Sequence, residues 1–126
     1  MTRKFTKRAK VIIATFYASA AGNQPVRDWL RSAGLTDDCR KEIGSDIHRV
    51  ECEWPDVGKP LVGAMKGGLW EVRSNLPSKR IARVLFGVEG GLMVILHGFV
   101  KKTAQTPDED LKLARKRWTD WNKYNP

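Results

Sequence analysis

Cysteine is scarce in this chain, with only Cys39 and Cys52 among 126 residues. On one predicted helix they stand about 20 Å apart at the usual rise per residue, too far to bridge. No metal-ligand spacing surrounds them. A disulfide scaffold and a zinc module are excluded, no metal or cofactor is expected, and idle thiols in a reducing cytoplasm fit the pattern. Histidine is equally rare, His48 and His97, so there is no evident imidazole pair for acid–base work. Long apolar runs are missing: nothing approaches the roughly 20 residues of a membrane-spanning helix. Residues 11–16 come nearest to a secretory leader, with Ala18, Ala20 and Ala21 behind them, but Thr15 and Tyr17 interrupt the run and a strand is the natural reading.

What is present is a hydrophobic fraction of 41%, which excludes a disordered composition. The length suits one domain, 1–126, whose first ten residues carry five bases and no acids and read as a loose basic arm. Lysine and arginine total 23 against 14 acids, a net charge of +9. Residues 37–60 hold seven acids and four bases, whereas residues 61–103 hold seven bases and two acids. A positive field gathered on one part of the chain favours a polyanionic partner.

The hydrophobic period gives the order of elements. Residues 11–17 read as a strand. Pro25 opens a helix whose Val26, Trp29, Leu30 and Ala33 share a face, with Gly34 to end it. Thr36 caps a second helix, Asp37 and Asp38 suit its positive end, and Pro55 closes it. Residues 69–74, 81–89 and 92–102 read as three further strands, the last two joined by a two-residue turn at Gly90-Gly91. Thr106-Pro107-Asp108-Glu109 opens a final helix as a capping box. The expected fold is α+β: a mainly antiparallel sheet of about four strands, an N-terminal helical hairpin and a C-terminal helix.

An unbulged hairpin at Gly90-Gly91 would set Arg83 opposite Gly98 and Leu85 opposite Leu96. Val84, Phe86 and Val88 then share the core side with Met93, Ile95 and His97. Arg83 and Lys102 share the other side, and Arg73 joins them from the preceding strand, making one basic concave surface. This register favours His97 as a hydrogen-bonded core residue over an acid or base. A bulge near Gly98 would reverse that. Glu71 offers either a general base or a counter-charge to Arg73 on an exposed face, and the alternation favours the counter-charge. Arginines suit the charge of a pentavalent phosphate, and a lysine among cations suits proton transfer. Lys101, Arg80, Lys79 and Lys66 surround these positions as candidate RNA-binding residues.

The pieces GNQPVRDWL (22–30), GLWEVR (68–73), RIARVLFGV (80–88), LHGFVKKT (96–103) and TPDEDLKLARKR (106–117) occur in an order that resembles the phage-derived, HigB-like branch of the RelE/ParE toxins. The resemblance implies a sheet flanked by helices and a metal-independent, ribosome-dependent endoribonuclease that cuts messenger RNA in the cytoplasm. It implies a catalytic surface of scattered bases matching Arg83, Lys102 and Arg73, with Lys101 beside them. It also implies a partner antitoxin, often a helix-turn-helix DNA-binding protein. Some relatives place tyrosine or histidine in the C-terminal segment, where this chain has Tyr124 alone. A ParE-like gyrase poison, with target contacts from Trp118 and Trp121, and a non-catalytic nucleic-acid-binding module are the competing functions on this fold.

Overall fold

The computed structural model describes residues 9–101 and 105–124. Among them run β1 (Ile13–Phe16), α1 (Pro25–Leu30), α2 (Asp37–Glu53), β2 (Val62–Ala64), β3 (Trp70–Asn75), β4 (Ile81–Glu89), β5 (Leu92–Val100) and α3 (Asp108–Tyr124). The strands form one sheet in the order β1-β5-β4-β3-β2. Strands β2 to β5 meet antiparallel, but β1 lies parallel to β5, pairing Ile13 with Leu92 and Phe16 with Ile95.

The expected mainly antiparallel sheet of four strands is therefore corrected to a five-stranded mixed sheet. Two causes are visible. β2 is only three residues long, too short to show alternation. The return of β1 to β5 joins residues nearly eighty positions apart, which no local period reveals.

The helical hairpin is corrected as well. α1 has six residues, leaving α2 and α3 as the only described helices of seven or more. The apolar face expected to reach Ala33 stops because Ser32 turns back onto Trp29, its hydroxyl donating to the Trp29 carbonyl at 2.6 Å. Arg40 of α2 then donates to the Leu30 carbonyl at 3.0 Å and to that of Leu35 at 2.7 Å. A side chain thus satisfies the end that further helix would have satisfied. α2 starts as the sequence suggests, with Thr36 accepting from the Cys39 amide at 3.3 Å.

α1 and α2 cover one face of the sheet over a core of Val26, Cys39, Ile43, Val50, Val72, Val84, Phe86, Met93 and Ile95. α3 covers the other, over Tyr17, Leu69, Leu85, Val94, Leu96, Leu111 and Ala114. Both helical layers lean on glycines. A Cβ at Gly98 would sit 2.3 Å from the Trp29 ring, and one at Gly87 would sit 2.8 Å from that of Trp118. Each indole lies on the sheet only because that strand carries no side chain beneath it.

The hairpin β4–β5 turns at Gly90 and Gly91, whose φ values of +55° and +79° suit glycine. Its first four pairs, from Glu89–Leu92 to Phe86–Ile95, follow the unbulged register. The ladder then slips, so that Leu85 pairs with His97, Val84 with Gly98 and Arg83 with Phe99. The extra residue is Leu96. Its carbonyl accepts from Arg117 Nη1 at 2.8 Å, which satisfies the group a bulge leaves unpaired. Arg83 opposite Gly98 and Leu85 opposite Leu96 are thereby corrected. His97 and Phe99 move to the face of Arg83, and Gly98 moves to the face covered by Trp29.

Candidate functional site

β3 and β4 place Arg73 and Arg83 as direct cross-strand partners. Like charges directly opposite repel, and the next side chain along that face, Glu71, resolves the conflict. Its Oε2 accepts from Arg73 Nε at 3.0 Å, and both its oxygens accept from Arg83 Nη1 at 3.1 Å. The Thr106 hydroxyl completes the group, donating to Glu71 Oε1 and accepting from Arg83 Nη1 at 2.8 Å. The segment just before α3 is thereby tied to the strands.

Burial grades these groups. Glu71 is fully buried and Arg83 is 5% exposed, whereas the Arg73 side chain is 31% exposed. The exposed-face reading of Glu71 is corrected accordingly: the carboxylate is a counter-charge, but an interior one serving two arginines. Arg73 swings over β2, where Gly63 clears its path. A Cβ there would stand 2.4 Å from Arg73 Nη2. Above the group opens a cleft of about 410 Å³ lined by Lys66, Glu71, Arg73, Arg83, Thr106 and Asp108. A second cleft of about 420 Å³ shares Arg73 and puts Lys59 and Lys101 across from the acids of α2, Glu42, Asp46 and Glu53.

The other candidates scatter. Lys66 is exposed on the rim of the first cleft, and Lys101 is half-buried at the second, its amide donating to the Ile81 carbonyl at 2.7 Å. Lys79 is exposed on the turn between β3 and β4. Arg80 is turned to the α2 side, donating to the Gly34 carbonyl at 3.3 Å and to Cys39 Sγ at 3.4 Å. Lys102 lies outside the described residues.

His97 sits beneath α3, with Nε2 2.6 Å from Asp110 Oδ1 and Nδ1 3.5 Å from Arg117 Nη1. A guanidinium only donates. Nδ1 therefore accepts, and Nε2 carries the proton given to Asp110. Both ring nitrogens are committed to α3, and the ring stacks on Phe99 with centroids 5.6 Å apart. Arg117 also lies over the Tyr17 ring, and the Tyr17 hydroxyl donates to Asp120 at 2.5 Å. That hydrogen bond, with burial, holds the Tyr17 phenol above its usual value, and burial pulls Arg117 below its own. Trp118 and Trp121 are half-buried against the sheet.

Sequence reasoning missed the roles of Thr106, Asp110 and Arg117. Only the recurrence of Glu71 and Arg73 two positions apart, on one strand face, was a usable signal.

Residues 28–119 match the family described as Phage derived protein Gp49-like (DUF891). The chain belongs to this family. It is a family associated with the toxins of toxin–antitoxin systems. No curated protein matches the chain. The matched span runs from α1 into α3 and includes every residue of the Glu71–Arg73–Arg83–Thr106 group. Among the described residues, no helix is long and apolar enough to cross a membrane, and no cluster of three metal-binding side chains is present.

Proposed function

We propose that this protein is the toxin of a type II toxin–antitoxin system, of the HigB-like branch, acting as a metal-independent endoribonuclease on messenger RNA at the ribosome. The carrying observation is the pair of facing arginines set by one buried carboxylate at the floor of an open cleft. Attack of a 2′-oxygen on the neighbouring phosphorus forms one P–O bond and breaks the bond to the 5′-oxygen, with negative charge gathering on the non-bridging oxygens between. Fixed guanidiniums answer that charge without reorganising. Arg73, partly exposed, meets the phosphate first, and Arg83 adds its field from below.

Glu71 has its oxygens filled by three donors and serves to orient rather than to accept a proton. Asp108 and Lys66, exposed on the rim, are the groups we assign to proton exchange with the 2′-hydroxyl and the leaving oxygen. The partner would be an antitoxin presenting acidic side chains to this cleft, carried by a helix-turn-helix DNA-binding protein. The packing of Trp118 and Trp121 against the sheet leaves less of them for the target contacts assigned to them in the gyrase-poison alternative.

The test is induction in a bacterium with mapping of messenger RNA 5′ ends, using Arg73→Ala as control because it leaves the Glu71–Arg83–Thr106 contacts in place. New ends at a fixed position within codons, lost in the variant, support the reading. Growth arrest without new ends overturns it.

A further inference from the structure

α3 is chemically divided. Two of its carboxylates turn inward, Asp110 to His97 and Asp120 to Tyr17. Its lysines do the opposite. Lys112, Lys116 and Lys123 are exposed, and no carboxylate of the described residues pairs with them. At about 100° per residue these three fall within about 40° of one another on the helix, with exposed Thr119 between them. The ridge they form is about 16 Å long at the usual rise per residue.

It starts at the first cleft, whose lining includes Asp108 and Leu111 of the same helix. Arg115 flanks it on the cleft side. Its aliphatic stem packs over Gly67, where a Cβ would stand 2.9 Å from Arg115 Cδ, next to the rim residue Lys66. Exposed Asp108 and Glu109 stand only at the cleft end, over the positive end of the helix.

We infer that the outer ridge of α3, Lys112, Lys116 and Lys123, is a docking surface for the phosphate backbone of base-paired RNA, separate from the strand that enters the cleft. The inference rests on the reading of the cleft as an RNA site and names the second RNA element it works beside. A protein partner fits the ridge poorly. Protein interfaces are depleted in lysine and centre on apolar or aromatic anchors, whereas the exposed aromatic of this helix, Tyr124, stands only at the far end of the ridge, its ring centroid 5.9 Å from Lys123 Nζ. Point charges on flexible stems, unneutralised from within, are instead what non-specific backbone binding uses. Duplex RNA is met through its backbone, because its deep groove hides the base edges.

The experiment measures binding of the purified full chain to a 20-base-pair RNA duplex across a salt series, beside cleavage of messenger RNA on programmed ribosomes. The comparison is Lys112→Gln/Lys116→Gln/Lys123→Gln against the unaltered protein. Each phosphate contact contributes about 0.9 to the slope of log K against log salt on a B-form duplex. Loss of three contacts should therefore flatten the slope by about 2–3 units and weaken duplex binding at low salt by at least about tenfold. Equal slopes and affinities for the two proteins overturn the ridge, as does binding of single strands with no affinity for the duplex. Salt-dependent duplex binding that needs the lysines, in a protein that cuts no messenger RNA on programmed ribosomes, retains the ridge and removes the ribonuclease reading instead.

Discussion

Glu71→Leu isolates what the buried carboxylate does for the fold. In the native chain, Arg83 is 5% exposed and faces Arg73 directly, with Glu71 touching both at 3.0–3.1 Å. Leucine fills similar space but leaves a buried guanidinium without its counter-charge. Breaking a buried pair from one side costs about 3–5 kcal/mol. That is a large fraction of the roughly 5–15 kcal/mol that holds a domain. With a urea slope of about 1.5 kcal/mol per M, the unfolding midpoint falls by about 2–3 M. The double variant Glu71→Leu/Arg83→Met removes both charges. Arg73 is exposed enough to turn to water, so the midpoint should return close to the native value, since well-packed apolar replacements of buried pairs are often neutral or better. Urea denaturation followed by circular dichroism reads all three proteins. If Glu71→Leu shifts the midpoint by less than about 0.5 M, or the double variant is no more stable than the single, the carboxylate is not what reconciles the two arginines.

Three further outcomes follow from the same contacts. Gly98→Ala sets a methyl group 2.3 Å from the Trp29 ring, so it should destabilise by about 1–3 kcal/mol in urea unfolding, with Trp29→Leu in the same chain recovering part of the loss. Gly63→Ala displaces only the flexible end of Arg73; its stability should stay within about 0.5 kcal/mol, and RNA cleavage should fall as far as in Arg73→Ala, so full activity would refute the assigned role. The hydrogen bond to Asp120, then burial, raises the Tyr17 phenol above 10.0, so the folded chain holds a proton that the unfolded chain loses above that pH. That stabilisation is complete below about pH 10 and fades as the pH rises through the folded value; the fade should be absent from Tyr17→Phe in stability measurements between pH 8 and 11.

The parts of the fold legible from sequence are those whose cause is local. The Gly90-Gly91 turn marks the ends of β4 and β5 at the hairpin, and Thr36 with Trp54-Pro55 marks the ends of α2, because turn and cap chemistry is carried by the residues themselves. α1 is shorter than its apolar face predicts because its stop is imposed from outside, by the Arg40 guanidinium on the Leu30 carbonyl. The parallel pairing of β1 and the short β2 depend on what the rest of the sheet offers, and neither leaves a period to count. That Arg73 and Arg83 share a face was accessible because alternation alone sets the face of each strand, whereas their direct pairing depends on the β3–β4 register. That Glu71 lies inside was not accessible. The Thr106 hydroxyl that donates to it stands 35 positions further along the chain.

The slip at Leu96 shows how one distant side chain can decide what a strand presents. Gly98, two positions on, is the local signal for the bulge, and without the bulge His97 would point into the core beneath α1 and α2. The bulge is sustained by Arg117, which takes the orphaned Leu96 carbonyl and approaches His97 Nδ1 with the same nitrogen. Once turned to the α3 face, His97 engages Asp110 and fixes the first turns of that helix. Thr106, just before those turns, is thereby held over Glu71 and Arg83. The chain of contacts runs from the middle of α3, through the bulge and back to the start of α3, and ends at the arginines. A change at Arg117 should thus reach the cleft by releasing the strand register, although Arg117 is not among the residues lining it.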